Sequence, residues 1–153
     1  MHLLRGLCRH LFLESKSLEL FAAIMGRLDR DQQRAAVPLS RSDVERLHEA
    51  RRILLERMVD PPGLWELGRM VGLNDFKLKQ GFRRVFGCTA YTALRDHRLH
   101  VARAMLLDSD TTVARVSAAV GYTNMSHFIA RFRARFGVTP GSLLSHARRN
   151  NQP

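Results

Sequence analysis

The sequence predicts an all-α protein: two helix-turn-helix subdomains joined by a long linker helix, with an N-terminal amphipathic helix ahead of them. Three observations carry this reading. A segment recurs: Val71-Gly72-Leu73 leads through Leu78, Phe82 and Phe86 to Gly87 and Thr89, and Val120-Gly121-Tyr122 leads through Phe128, Phe132 and Phe136 to Gly137 and Thr139. The offset is 49 up to the glycine (Leu64/Val113, Leu67/Val116, Gly72/Gly121) and 50 beyond it (Leu78/Phe128, Phe82/Phe132, Gly87/Gly137). The added residue falls at a turn, where an insertion costs least. Apolar residues recur throughout at helical spacing, and no stretch supports a strand. Finally, the second helix of each copy is rich in Lys and Arg, as a nucleic-acid reader of this kind requires.

In chain order, Leu18, Phe21, Ala22, Met25 and Leu28 form one amphipathic stripe. Asp29 to Pro38 is polar, closes on a proline and reads as a linker. A helix then starts near Ser42, where Ser42-Asp43-Val44-Glu45 has capping-box spacing, and carries Val44, Leu47, Leu54 and Met58 before Pro61-Pro62-Gly63 stops it. The first copy follows as a helix over about 64–71, a turn at Gly72, and a helix over about 75–86 capped by Asn74. A linker helix over about 90–107 carries Tyr91, Leu94 or Arg95, Leu99, Ala102 and Leu106 along one side. About 17 residues at 1.5 Å each make a rod of roughly 26 Å. The second copy has Thr123 as the expected cap of its second helix (about 124–136), and a last helix runs from Gly141 toward Arg148. The expected domains are 1–38 and 39–150, the latter divided into copies at about 42–88 and 108–149 around the linker helix at about 89–107.

The charge excess follows the repeat. Of the 25 Lys/Arg and 14 Asp/Glu, residues 61–153 hold 14 and 5, and residues 1–60 hold 11 and 9. A basic excess confined to one segment points to a polyanionic partner rather than to general solubility. Cys8 and Cys88 are the only cysteines and form no metal-type motif, so reduced thiols in a cytoplasmic protein are expected. No apolar run approaches the roughly 18 residues of a membrane span.

The stripes Leu78, Phe82, Phe86 and Phe128, Phe132, Phe136 read as core. The opposite faces are the candidate site. The first displays Phe76, Lys79, Gln80 and Arg83, with Arg84 beside them; the second displays Ser126, Ala130 and Arg133, with His127 and Arg131 on its flanks. Lys suits guanine O6/N7, Gln suits adenine N6/N7, and a small or apolar side chain meets a thymine methyl. Arginines further along each helix, Arg84 and Arg135, suit phosphates, which fix register without reading sequence. Gly72 and Gly121 stand where a tight turn needs the left-handed backbone. Gly68 and Ser117, each four residues earlier, are small enough to let the two helices of a copy cross closely.

The segment from Ser42 to Arg149 resembles the AraC/XylS family of bacterial transcription regulators. The most specific stretch is Val120-Gly-Tyr-Thr-Asn-Met-Ser-His-Phe-Ile-Ala-Arg-Phe-Arg-Ala-Arg-Phe-Gly-Val-Thr-Pro140, supported by Tyr91 and Arg98-Leu99-x-x-Ala102 in the connecting helix. The resemblance implies two recognition helices in successive major grooves of double-stranded DNA. Its implied base contacts are Phe76, Lys79, Gln80 and Arg83, then Ser126, His127, Ala130 and Arg133. RNA polymerase is implied as a protein partner, and no cofactor or metal is expected. Asp75-Phe-Lys-Leu-Lys79 and Asp96-His97-Arg98-Leu99, with Lys16 to Leu20 ahead of them, look like the siderophore-responsive branch of the family. The pattern departs from the family at Ala130, where many members have Arg, at Met125, and at Gly68 and Ser117, where Ala is usual. The departures at Ala130 and Met125 put the second helix's specificity in doubt.

Family members usually carry an effector-sensing barrel, and about 40 residues ahead of this region are too few for one. The chain is then either a short regulator or a piece of a longer one. The N-terminal stripe needs a partner, either the Ser42 helix or a second copy in a homodimer. Two rival readings are weaker. His97, His100 and Cys88 suggest a metal or nucleophile site, but zinc wants four ligands and no second pair appears. A basic helical module binding anionic membrane or another protein would need its apolar face free, whereas the repeated Phe positions are needed for cores.

Overall fold

The computed structural model describes residue 19 and residues 38–108 and 110–150. The N-terminal stripe, with Leu18, Phe21 and Met25, lies outside the described residues. The chain divides at Pro38, and the residues from Leu39 onward form a compact unit of their own. Its described helices are α1 (Arg41–Glu56), α2 (Leu64–Val71), α3 (Asp75–Phe86), α4 (Ala90–Leu107), α5 (Val113–Ala119), α6 (Met125–Phe136) and α7 (Pro140–Asn150). Among the described residues every regular element is a helix.

Local chemistry sets most of the boundaries. Asn74, Thr89, Thr112 and Asn124 each accept a hydrogen bond from the third backbone N–H beyond them, at the starts of α3 to α6. Gly87 and Gly137 end α3 and α6. Two caps differ from expectation. The cap of α1 is Ser40, with Asp43 completing the capping box, rather than Ser42 with Glu45. Both pairs have the right spacing, but Asp43 also reaches Lys77 of α3 (Nζ to Oδ2 3.0 Å), whereas Glu45 finds only the exposed Arg41. A tertiary partner breaks the tie. In the second copy Asn124 caps α6 and Thr123 does not, because the offset of 50 already applies there and Asn124 falls on Asn74.

Two cores form. Leu47, Ala50 and Leu54 of α1 pack with Leu67, Val71, Leu73, Leu78 and Phe82, and with Ala90 and Leu94 at the start of α4. Leu99, Ala102 and Leu106, further along α4, pack with Val116, Val120, Phe128, Phe132 and Leu144. One helix therefore supplies both cores. Tyr91, expected on its buried stripe, is 58% exposed, because the smaller Ala90 takes the inward position.

The duplication is larger than two helices. Arg46-Leu-His-Glu-Ala-Arg51 and Arg98-Leu-His-Val-Ala-Arg103 match at an offset of 52. Their environments match too. His48 meets Phe86 edge-on at 5.1 Å and Arg51 lies 5.3 Å from the same ring; His100 meets Phe136 edge-on at 5.4 Å and Arg103 lies 5.7 Å from it. Thus α4 is to the second copy what α1 is to the first, and Leu94 of α4 and Leu144 of α7, 50 residues apart, close the two cores.

Glycine is required at the two inter-helix turns, where Gly72 and Gly121 have φ of 70° and 81°. The expected reason for Gly68 changes. A Cβ there would sit 2.6 Å from the Leu73 carbonyl oxygen and only in ordinary contact with Leu78, so the turn needs the space rather than the helix crossing. The close helix approach occurs instead at Gly81, where a Cβ would run into the Leu47 side chain.

Asp43 is 5% exposed. The Ser40 backbone N–H, the Lys77 ammonium and the Ser40 side chain hold its carboxyl at about 2, against the opposing effect of burial. A folded pKa below the ordinary value of about 4 stabilises the fold above that pH, and the contribution disappears as pH falls from about 4 toward 2. Asp43→Asn is therefore expected to be less stable than the parent at pH 7 and nearly equal to it by pH 2. Denaturant titrations at both pH values check this; a gap that persists in acid would place the loss elsewhere. Phe132→Ala, emptying a fully buried site, is expected to cost about 3–5 kcal/mol in the same titration.

Candidate nucleic-acid interface

With the Phe stripes buried, α3 and α6 present their other faces outward. On α3, Phe76 is 52% exposed, and Lys79, Arg83 and Arg84 are exposed, while Gln80 is half-buried. On α6, Ser126, His127, Ala130, Arg131 and Arg133 are all exposed. The structure thus brings the predicted residues of each helix to a common surface, with Gln80 at its edge.

Several are already engaged. Lys79 Nζ pairs with Asp75 Oδ2 one turn earlier at 2.5 Å, so this cation is oriented along the helix and partly neutralised. Arg131 Nε donates to His127 Nε2 at 3.1 Å, and the His127 ring leans toward Tyr122 at 5.9 Å. This geometry draws both residues to the flank. Arg135, expected to suit a phosphate, instead lies 3.2 Å from His100 Nε2 and against the Phe136 ring at 5.7 Å, so it braces α6 on α4.

The structure adds to the sequence reading at Ile129, Met125 and Lys77. Ile129 and Met125, each 36% exposed, lie on the outward face of α6. Ile129 falls on Lys79 at the offset of 50, a comparison that would have revealed it. The outward face of α6 is therefore more apolar than that of α3. Lys77 matters in the opposite sense: its bond to buried Asp43 turns it away from the outward face and ties α3 to α1. Its counterpart is His127, and Asp43 corresponds at the offset of 52 to Arg95, so the second copy cannot form this pair.

The groups behind the rival readings have structural surroundings. His100 rests on Phe136, and burial, with Arg51 and His100 nearby, lowers the pKa of His97. Among the described residues no group of three or more His, Cys, Asp or Glu is arranged to hold a metal ion. No described helix is long and apolar enough to cross a membrane.

Residues 67–146 match the family model described as a helix-turn-helix domain, just over half of the chain. A probable AraC family transcriptional regulator from Rhodopseudomonas palustris shares the fold with a TM-score of 0.62 at 23% identity, over 67% of this chain and 97% of that one. The chain belongs to the AraC-type helix-turn-helix family. Within it, the regulatory protein PchR of Pseudomonas aeruginosa is 38% identical over 109 residues, 71% of this chain and 37% of PchR. The DNA-binding domain of AdpA, solved in complex with a target DNA, has a TM-score of 0.62 at 21% identity, over 69% of this chain and 95% of that one. The chain spans between about a quarter and two fifths of the length of the first curated relatives it matches.

Asp75→Asn isolates the effect of the Lys79 pair in this AraC-type interface. Its removal is expected to cost under about 1 kcal/mol of stability, since the pair is exposed at a helix start. It is also expected to tighten duplex DNA binding, because an anion leaves the surface and Lys79 is released. Fluorescence anisotropy alongside thermal unfolding measures both; weaker binding at unchanged stability would mean that the pair pre-orients Lys79 productively.

Proposed function

We propose that this chain is a sequence-specific, double-stranded DNA-binding transcriptional regulator that places α3 and α6 in successive major grooves. The observation that carries the reading is the repeated unit: two helical supports on one chain, one presenting the outward face of α3 and the other that of α6. The linker helix α4, 18 residues long, is about 27 Å at 1.5 Å per residue, compatible with half-sites one DNA turn apart, ~34 Å. The AdpA domain, solved with a target DNA, has the same fold, which supports the choice of ligand.

The first helix reads base edges with Lys79 and Gln80, flanked by Phe76 and Arg83, and Arg84 binds phosphate. The second reads with Ser126, Ala130 and Arg133, now joined by Ile129, with His127 and Arg131 at its edge. The proposed targets are iron or siderophore uptake genes, on the resemblance of Asp75–Lys79 and Asp96–Leu99 to the siderophore-responsive branch. RNA polymerase is the proposed protein partner, the cytoplasm the proposed location, and a homodimer through the N-terminal amphipathic stripe the proposed assembly. No catalytic activity is proposed.

Selection on randomised duplexes, followed by affinity measurements, tests the reading. Affinity should fall about 10³–10⁵-fold between 50 and 200 mM salt if roughly 6–10 phosphates are contacted. Arg84→Ala should weaken all sequences about equally. Lys79→Ala and Gln80→Ala should relax one or two base pairs by about 1–3 kcal/mol each, while Ser126→Ala changes selectivity little. A flat salt response, or binding to anionic liposomes in preference to duplex, would overturn the proposal.

A further inference from the structure

The two copies use the same arginine differently. Arg46 on α1 and Arg98 on α4 are equivalent at the offset of 52. Each lies against the turn glycine of its own unit: a Cβ on Gly72 would be 3.6 Å from Arg46 Nη1, and one on Gly121 would be 3.0 Å from Arg98 Nη2. Arg46 Nη1 donates to the Gly72 carbonyl at 3.1 Å, an exposed bond that closes its own unit. Arg98 instead reaches the first unit. Its Nε donates to the Met58 carbonyl at 2.7 Å, its Nη2 donates to the same oxygen, and Nη2 stands 3.5 Å from the Val59 carbonyl.

Two further contacts converge there. The Met58 side chain packs against both hydrophobic cores. Gly121 lies so close to the segment after α1 that a Cβ on it would be 2.9 Å from Val59 Cα. The guanidinium is half-buried, with its Cζ 5.9 Å from the centre of the Tyr122 ring. A charged donor held on a carbonyl away from bulk water makes a strong, directional bond. An ammonium provides only a point charge, where the planar fork can hold one oxygen through two N–H groups.

We propose that Arg98, with Met58, Val59 and Gly121, forms a clasp between the two subdomains that fixes the phase of α3 relative to α6, and so sets the half-site separation the protein accepts. Arg98 is a positioning residue here, remote from the reading faces. The inference rests on the DNA-reading role proposed above. Its logic is geometric: one base pair added between half-sites rotates the second by about 34° and moves it by ~3.4 Å. α4, buried in both cores, joins the units along one line; the clasp supplies a second point of attachment off the α4 axis.

The test has one arm without DNA and one with it. In a Cys8→Ser/Cys88→Ser background, spin labels at Arg84→Cys and Ala134→Cys report the distance between α3 and α6. The parent should give one narrow distribution, Arg98→Gln a broader or shifted one, Arg98→Lys an intermediate one, and Arg46→Gln a distribution like the parent's. For the second arm, duplexes carry the selected half-sites at the selected spacing, at one base pair more or less, and as a single half-site. Arg98→Gln should bind the single half-site as the parent does, yet lose about tenfold of the discrimination between spacings, the factor of one charge-assisted bond.

Unchanged spacing discrimination in Arg98→Gln, or an equal loss on single and paired half-sites, would overturn the clasp. So would a label distribution as narrow as the parent's. If the parent bound no duplex, the proposed function would fail while the label distances still decided the clasp. If Arg98→Gln did not fold, Arg98→Lys would carry both arms.

Discussion

The molecule depends on α4 being buried at two places along one rigid rod. Ala90 and Leu94 complete the first core, and Leu99, Ala102 and Leu106 found the second. A helix is stiff along its axis because each turn is bonded to the next, so burying both of its ends in different cores transmits the placement of one unit to the other. Everything outward follows from this. The positions of α3 and α6 are set by the Phe82 and Phe132 anchors beneath them, and those anchors sit in cores that share a single wall.

The duplication explains why the two reading helices are supported alike and still present different chemistry. The supporting residues recur: His48 with Phe86 as His100 with Phe136, Arg51 as Arg103, Leu47 as Leu99. The presenting residues diverge: Lys79 becomes Ile129, Gln80 becomes Ala130, and Phe76 becomes Ser126. Core positions are bound by close packing, where a methylene is felt, while an outward side chain is answerable only to what it touches. The units also hold their third helices differently. The first uses the Asp43–Lys77 ion pair, and the second, having Arg95 and His127 at those positions, relies on Tyr122 set 5.2 Å from Phe128.

The helix ends, the turn glycines and the Phe stripes were legible in the sequence because each is governed by local chemistry. An Asn accepting from the N–H three residues on, or a glycine at positive φ, needs no distant partner. Other departures arise from partners distant in the chain. Ser40 prevails over Ser42 because Asp43 meets Lys77, 34 residues away. Ala90 rather than Tyr91 faces inward because of the shape of the first core. Arg135, still exposed, is drawn to His100 on another helix. Even so, Arg-Leu-His-x-Ala-Arg stood twice in the chain, and recognising it would have shown α4 to be the first helix of the second unit.

The sequence by itself determined the all-helical class, the duplication, the seven described helices and the two basic outward faces, since these follow from periodicity, capping chemistry and composition. Only the tertiary structure decided which arginine closes its own turn and which one reaches the neighbouring unit. Arg46 and Arg98 occupy the same place in the same motif, and the motif itself does not distinguish their tasks. The carbonyl of Met58 lies 40 residues before Arg98, and chain folding alone brings the two within hydrogen-bonding distance.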